Sequence, residues 1–209
     1  MNRDWSRRTK LGYSLGGSAI ALRLLSDWIF PLGGPLWYQL VQGVLLAVGV
    51  IVMRRDLSKI FLKGGDDRRG VYMALMFLPF GVILGIGYSL MLYGSVVLPS
   101  AQAWISMVGN NLFFPLVEEF EFRGYFLSGV TTSGVSGGWA NLLQAAIHTF
   151  AHTHYFFQGN FASILLTFVV FLWLGFIVLR TKSLLGAWIG HALYNIALFT
   201  FLIGSGYIR

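Results

Sequence analysis

The chain predicts an all-α, polytopic membrane bundle of about seven transmembrane helices, and three observations carry that prediction. Of its 209 residues 56% are hydrophobic and only 11% charged, against about 25% charged in soluble domains. Mean hydropathy is +0.69. The apolar residues fall in runs close to the ~20 residues a helix needs to cross a bilayer. The basic residues sit between those runs, at Arg3, Arg7, Arg8 and Lys10, from Arg54 to Arg69, and at Arg180 and Lys182. Loop charges that set membrane orientation are distributed in this way. No polar stretch is long enough for a second domain, so residues 1–209 read as one integral-membrane unit.

The net charge of +7 therefore implies no nucleic-acid partner; the partner implied is the lipid bilayer. The chain has no cysteine, which excludes a disulfide framework, thiolate metal ligands and a cysteine nucleophile.

Taken in order, the first run (11–31) follows a basic segment, but it holds Arg23 and Asp27 and lacks a small-residue cleavage site. It reads as a retained helix rather than a signal peptide. Arg23 and Asp27, four apart, are expected to pair within it. The second run is 35–53. The third, 71–98, carries Gly81 and Gly85 as a small-residue packing face, and gives an eighth crossing if it is broken. The fourth, 103–129, is also long enough to tilt. The last three are 139–156, 161–179 and 183–204. Alternating crossings from a cytoplasmic N-terminus put loops 54–70, 130–138 and 180–182 inside. Those near 32–34, 99–102 and 157–160 lie outside, with the last four residues. Nearly every Lys and Arg beyond the spans is then cytoplasmic; loop 130–138 carries no charge at all.

The informative departure from apolarity is Glu118-Glu119-Phe120-Glu121-Phe122-Arg123, inside the fourth run. Ionisable groups at membrane depth are expensive and mark functional sites by default. Glu119 and Arg123 share a helix face in the better acid-to-base order. Glu118 points about 100° away, without that partner, and is the candidate general base. The bland alternative is a structural ion pair, which leaves adjacent acids unexplained. Glu121 faces either a polar cavity or the inner interface. Pro115 cannot donate to the Asn111 carbonyl, and Asn110 or Asn111 is placed to satisfy it.

All four histidines fall in two later segments. Gln144, His148 and His152 recur every four residues as a polar stripe, with His154 near the outer end. His191 and Asn195 are also four apart; an Asn amide there donates to a developing oxyanion or serves as interhelical glue. Depth tests their convergence. At 1.5 Å per residue, Glu118 lies about 16 Å from the inner side, His148 and His152 roughly 14 and 20 Å, His191 and Asn195 roughly 12 and 18 Å.

Glu118-Glu119-x-x-x-Arg123 followed by Gly124-Tyr125 resembles the first motif of the CAAX-protease and bacteriocin-processing family, also called Abi, of glutamate-dependent intramembrane proteases. The segment ending in His152 resembles the second motif, Phe-x-x-x-His, and His191-x-x-x-Asn195 the third. The resemblance spans roughly 103–200. It implies that Glu118 activates the attacking water with His152 holding that water, that His191 and Asn195 stabilise the oxyanion, and that Glu119 and Arg123 support the geometry. It also implies a prokaryotic cytoplasmic membrane and a membrane-tethered substrate: a prenylated tail, a leader peptide or a sorting signal. The expected cut is near the cytoplasmic half of the bilayer. Gln144, His148 and Asn111 are expected to line the site.

The chain departs from the family at Glu121, usually apolar, and at position 148, usually Phe. His148-x-x-x-His152 is a zinc-compatible spacing, so a zinc set of His148, His152, His191 and Glu118 is the rival to metal-free hydrolysis. The His-Glu-x-x-His motif is absent, which favours no cofactor. A non-catalytic immunity or peptide-binding protein is the rival from another class. A proton-coupled transporter should show inverted repeats, and none is visible.

Overall fold

The computed structural model describes residues 5–30, 36–96 and 98–204. The loop at 32–34, Arg3 and the last four residues lie outside the described residues. Within them the chain is helical, with no strand. Its helices are α1 (Arg7–Ile29), α2 (Leu36–Val52), α3 (Asp67–Leu75), α4 (Leu78–Tyr93), α5 (Ala101–Glu119), α6 (Ser128–Thr132), α7 (Gly137–Ala151), α8 (Thr153–Phe157), α9 (Phe161–Thr181) and α10 (Leu184–Gly204). Among the described residues, three helical stretches are long and apolar enough to cross a membrane: Asp67–Met91, Phe161–Thr181 and Leu184–Phe201. Trp37–Val52 is a shorter apolar helix. The chain is thus a helical membrane protein. The runs that carry Arg23, Asp27 and the glutamates, α1 and the stretch through α5, are not among those three.

The helix starts are written in the sequence. Ser6, Asp66, Ser100 and Asn160 each accept an amide N–H from the first turn of α1, α3, α5 and α9, satisfying a donor that has no partner inside the helix. The breaks are less obvious. The third run is interrupted at Met76–Phe77, because Pro79 lacks the N–H that would bond the Leu75 carbonyl. α3 and α4 nonetheless continue as one candidate span, Asp67–Met91.

The fourth run leaves α-helical register after Glu119 and makes a π-helical segment over Phe120–Leu127. Such widened turns cluster at functional sites. Hydroxyls take up carbonyls beyond it: Ser128 donates to Gly124 O, and Thr131 Oγ1 to Leu127 O at 2.9 Å. The fifth run stops at His152. Its ring Nδ1 bonds the His148 carbonyl at 3.1 Å, the group its own amide would have taken, and that amide bonds Thr149 O instead at 3.0 Å. The sequence-derived single helix over 139–156 is therefore two helices with the histidine at the joint.

Gly81 and Gly85 form the expected packing face, against α10: a Cβ at Gly85 would stand 2.8 Å from Phe201 Cδ2. A second close approach was not foreseen. Gly16 of α1 and Gly49 of α2 make the groove that takes Tyr125 of the π segment; a Cβ at Gly16 would stand 2.3 Å from its Cγ. Tyr125 Oη donates to Leu46 O at 3.3 Å. This contact docks α1 and α2 onto the motif-bearing segment.

One end of the bundle is tied together by its loops. Asp66 N bonds Thr181 O at 2.7 Å and Leu184 N bonds Phe61 O at 3.0 Å. Thr9 Oγ1 donates to Asp56 Oδ2 at 3.0 Å, and Lys59 Nζ reaches Asp56 Oδ1 at 3.1 Å. The Lys59 ammonium and the Thr9 hydroxyl hold the Asp56 carboxyl below the usual carboxylate range. All the basic loops meet at this end. Facing lipid elsewhere are large apolar side chains such as Leu40, Val44 and Ile51 along α2.

Candidate active site

Four carboxyl groups and two guanidinium groups meet in the interior. Glu119 and Arg123 pair as their spacing predicts, Nη1 to Oε1 at 2.9 Å, both side chains fully buried. Arg123 also donates to Phe171 O at 3.3 Å and to His148 Nδ1 at 2.8 Å. Arginine can only donate, so His148 Nδ1 accepts and its proton sits on Nε2. That Nε2 stands 3.4 Å from Glu118 Oε2, without hydrogen-bond geometry. The His148 ring is clamped between Phe122 and Phe171, at centroid distances of 3.8 and 3.5 Å and nearly parallel to both.

His191 Nδ1 lies 2.8 Å from Glu119 Oε1, and its Nε2 lies 3.7 Å from Glu118 Oε2. It thus bridges the two adjacent acids from α10. His152 donates from Nδ1 to a backbone carbonyl, which leaves Nε2 as an acceptor. Ligand atoms of Glu118, His148 and His152 all lie within 4.8 Å of one another.

Glu118 corrects the sequence reading. It does have a cationic partner: Arg23 of α1 donates Nη2 to its Oε1 at 2.6 Å. Arg23 pairs with Asp27 as expected, Nε to Oδ2 at 3.2 Å, but it also reaches Glu121 Oε2 at 3.3 Å. Glu121 is fully buried, accepts a second bond from Gln42 of α2, and so faces neither a cavity nor the interface. Arg23 was legible only as an ion pair inside its own helix. The signal that marks it, a charge inside an apolar run, is the same one that marks the glutamates, but no spacing rule connects residues 95 apart.

A cavity of about 410 Å³ has Glu118, His152 and His191 at one end. Asn111, Pro115, Asn195 and His154 also line it. Asn195 and Asn111 are thus at the cavity, as expected. Asn111 Nδ2 bonds Met107 O at 2.9 Å, so it does not satisfy its own carbonyl freed by Pro115. Gln144 does not line the cavity. It is completely buried one turn before His148, with neither amide atom hydrogen-bonded. His148 also lies behind the wall rather than on it, because its ring is enclosed by the two phenyl rings.

The cavity runs from Glu118 toward Met91, Asn160 and Phe199, the ends of α4 and α10 and the start of α9 that lie away from the basic loops.

The residues fit zinc poorly. A neutral imidazole bound to metal through Nε2 carries its proton on Nδ1. At His148 that proton would face the Arg123 N–H donor 2.8 Å away. Without His148 the ligand group reduces to Glu118 and His152, because His191 lies outside it, short of the three protein ligands of catalytic zinc sites.

A family model described as type II CAAX prenyl endopeptidase Rce1-like matches residues 99–197. Comparison with curated proteins and with solved structures found no match. The matched segment contains Glu118, Glu119, Arg123, His152, His191 and Asn195, while Arg23 and Gln42 come from outside it. Residues 99–197 of this helical membrane protein are thus similar to a family of CAAX-type prenyl endopeptidases, the same family that the three sequence motifs resemble.

Proposed function

We propose that the chain is an intramembrane endopeptidase that hydrolyses a membrane-tethered peptide by glutamate-activated water, without a metal. The observation that carries this reading is Glu118 in the cavity wall, with one carboxylate oxygen held by Arg23, the other 3.4 and 3.7 Å from the imidazoles of His148 and His191, and His152 close by. Glu118 Oε2 takes a proton as the water oxygen attacks the scissile carbonyl, with the acceptor Nε2 of His152 orienting that water. The Asn195 amide donates to the oxyanion, and His191, anchored by Glu119, faces the same reacting centre. Donors preorganised in this way typically contribute about 3–4 kcal/mol each. Glu118 returns its proton to the leaving amine as the C–N bond breaks. The products are a carboxylate and an amine, and no acyl-enzyme forms. Arg23, Arg123 and His148 position these groups.

Seven crossings with a cytoplasmic N-terminus, in a prokaryotic cytoplasmic membrane, fit the distribution of charge. The test compares protein termini by mass spectrometry in membranes from cells carrying the wild-type chain or Glu118→Gln at equal abundance. Termini that vanish in the variant, and that persist when purified wild-type protein processes the same substrate in chelator, support the reading. Identical termini would move the weight to a peptide-binding or immunity protein; loss in chelator would return it to zinc.

A further inference from the structure

The cavity has a direction relative to the charges of the chain. Every described Lys and Arg other than the half-buried Arg23 and the buried Arg123 lies at one end of the bundle, at 7–10, 54–69 and 180–182. That end is fastened by the Thr9–Asp56, Asp66–Thr181 and Phe61–Leu184 bonds. The cavity leads from Glu118 to the opposite end. There it is bounded by Met91 at the end of α4, Tyr155 in α8, Asn160 and Ala162 at the start of α9, and Phe199 in α10. Across it α5 faces α8 and α9, while α5 packs against α10. The cavity thus extends along α5, α8 and α9 toward the end with no described Lys or Arg.

Basic loops remain on the cytoplasmic side, because Lys and Arg near span ends are the residues that fix orientation. We infer that the substrate reaches Glu118 from the extracytoplasmic side, and that it is an exported, membrane-associated polypeptide rather than a cytoplasmic tail. The inference rests on the peptidase reading above and names the substrate class of that site. The lining narrows it further. Among the described lining residues only Glu118 is an acid, and none is Lys or Arg. The rest are His152, His154 and His191, apolar and aromatic residues, and polar groups such as Asn111, Ser163 and Thr167. A charged side chain entering this wall would lose hydration without a partner. Away from Glu118 and the histidines, side chains that enter the cavity are therefore uncharged.

The chain has no cysteine, so single cysteines report sidedness directly. Ala162→Cys at the rim, Gln158→Cys on the adjoining turn and Lys63→Cys on the basic loop are all at exposed positions. The probe is a membrane-impermeant sulfonated maleimide applied to intact cells. The expected result is labelling at 158 and 162 in intact cells, and at 63 only after permeabilisation. A bulky maleimide attached to Ala162→Cys from outside should lower substrate processing at least tenfold. The termini lost in Glu118→Gln should lie on exported segments. Labelling at 63 but not at 158 and 162 in intact cells overturns the inference. So does full modification at 162 with processing unchanged, and so do lost termini that map to cytoplasmic tails. Labelling reads orientation whether or not the protein cuts, so identical termini in Glu118→Gln would defeat hydrolysis while the labelling still decided the side of access.

Discussion

Arg23→Met removes the guanidinium that holds three carboxyl groups and keeps most of the side-chain length. Two of the three arms are buried: Glu121 is fully enclosed, and the Glu118 side chain is 11% exposed. Removing one partner from a buried ion pair costs about 3–5 kcal/mol, because the other charge stays behind in low dielectric. The Asp27 arm is more open, with 18% exposure on both sides, and contributes about 1 kcal/mol or less. The expected loss is thus about 3–5 kcal/mol, a large share of a typical 5–15 kcal/mol stability. It corresponds to a folding equilibrium lower by a factor of roughly 10² to several times 10³. The assay is a denaturant titration in micelles, read by tryptophan fluorescence. Arg23→Met/Glu121→Leu serves as the second corner of the cycle, since removing the stranded acid should recover at least about 1 kcal/mol of the loss, within the usual range for contacting residues. Asp27→Asn alone should cost little. If Arg23→Met costs under about 1 kcal/mol, or if the Arg23 and Glu121 effects simply add, then Arg23 is not what balances Glu118 and Glu121.

Asn195→Ala should lower kcat by about 10²–10³ with KM and thermal stability nearly unchanged, as the loss of one oxyanion donor does; steady-state kinetics on the identified substrate checks this. His148→Phe preserves the stack between Phe122 and Phe171 but strips Arg123 of a bond made to a charged donor. It should cost about 1.5–3 kcal/mol, measured by the same titration, and should leave cleavage measurable. At the basic end, the Asp56 carboxyl is held low by Lys59 and Thr9. Its contribution is complete above the unfolded value of about 3.9 and is lost as pH falls through the folded value. Melting temperatures between pH 6 and pH 3 should therefore fall less in Asp56→Asn than in the wild-type protein.

Much of the site was legible in the chain because the bilayer enlarges the signal. In a soluble protein Glu118, Glu119 and Arg123 would be one polar stretch among many; inside an apolar run each charge demands a partner. Helical spacing then supplied the partner within reach, and Glu119 does pair with Arg123. The depth estimate brought His152 and His191 to the level of Glu118, where the cavity begins. Spacing failed where the helix is not regular. It placed His152 on a continuing stripe, although the ring takes the backbone carbonyl and ends the helix there. It also made Gln144 a lining residue, although the cavity lies on the other side of His148.

The sequence by itself determined the helical membrane class, the motif segment, and the pairings that lie within one or two turns, because periodicity and burial cost are local properties. Only the tertiary structure decided which distant charges meet and which way the cavity points. Arg23 joins Glu118 because Gly16 and Gly49 let Tyr125 dock α1 and α2 against the π segment. Nothing local to residue 23 encodes that approach. The direction of the cavity depends likewise on α5 packing against α10 and standing apart from α9, a property of three helices at once.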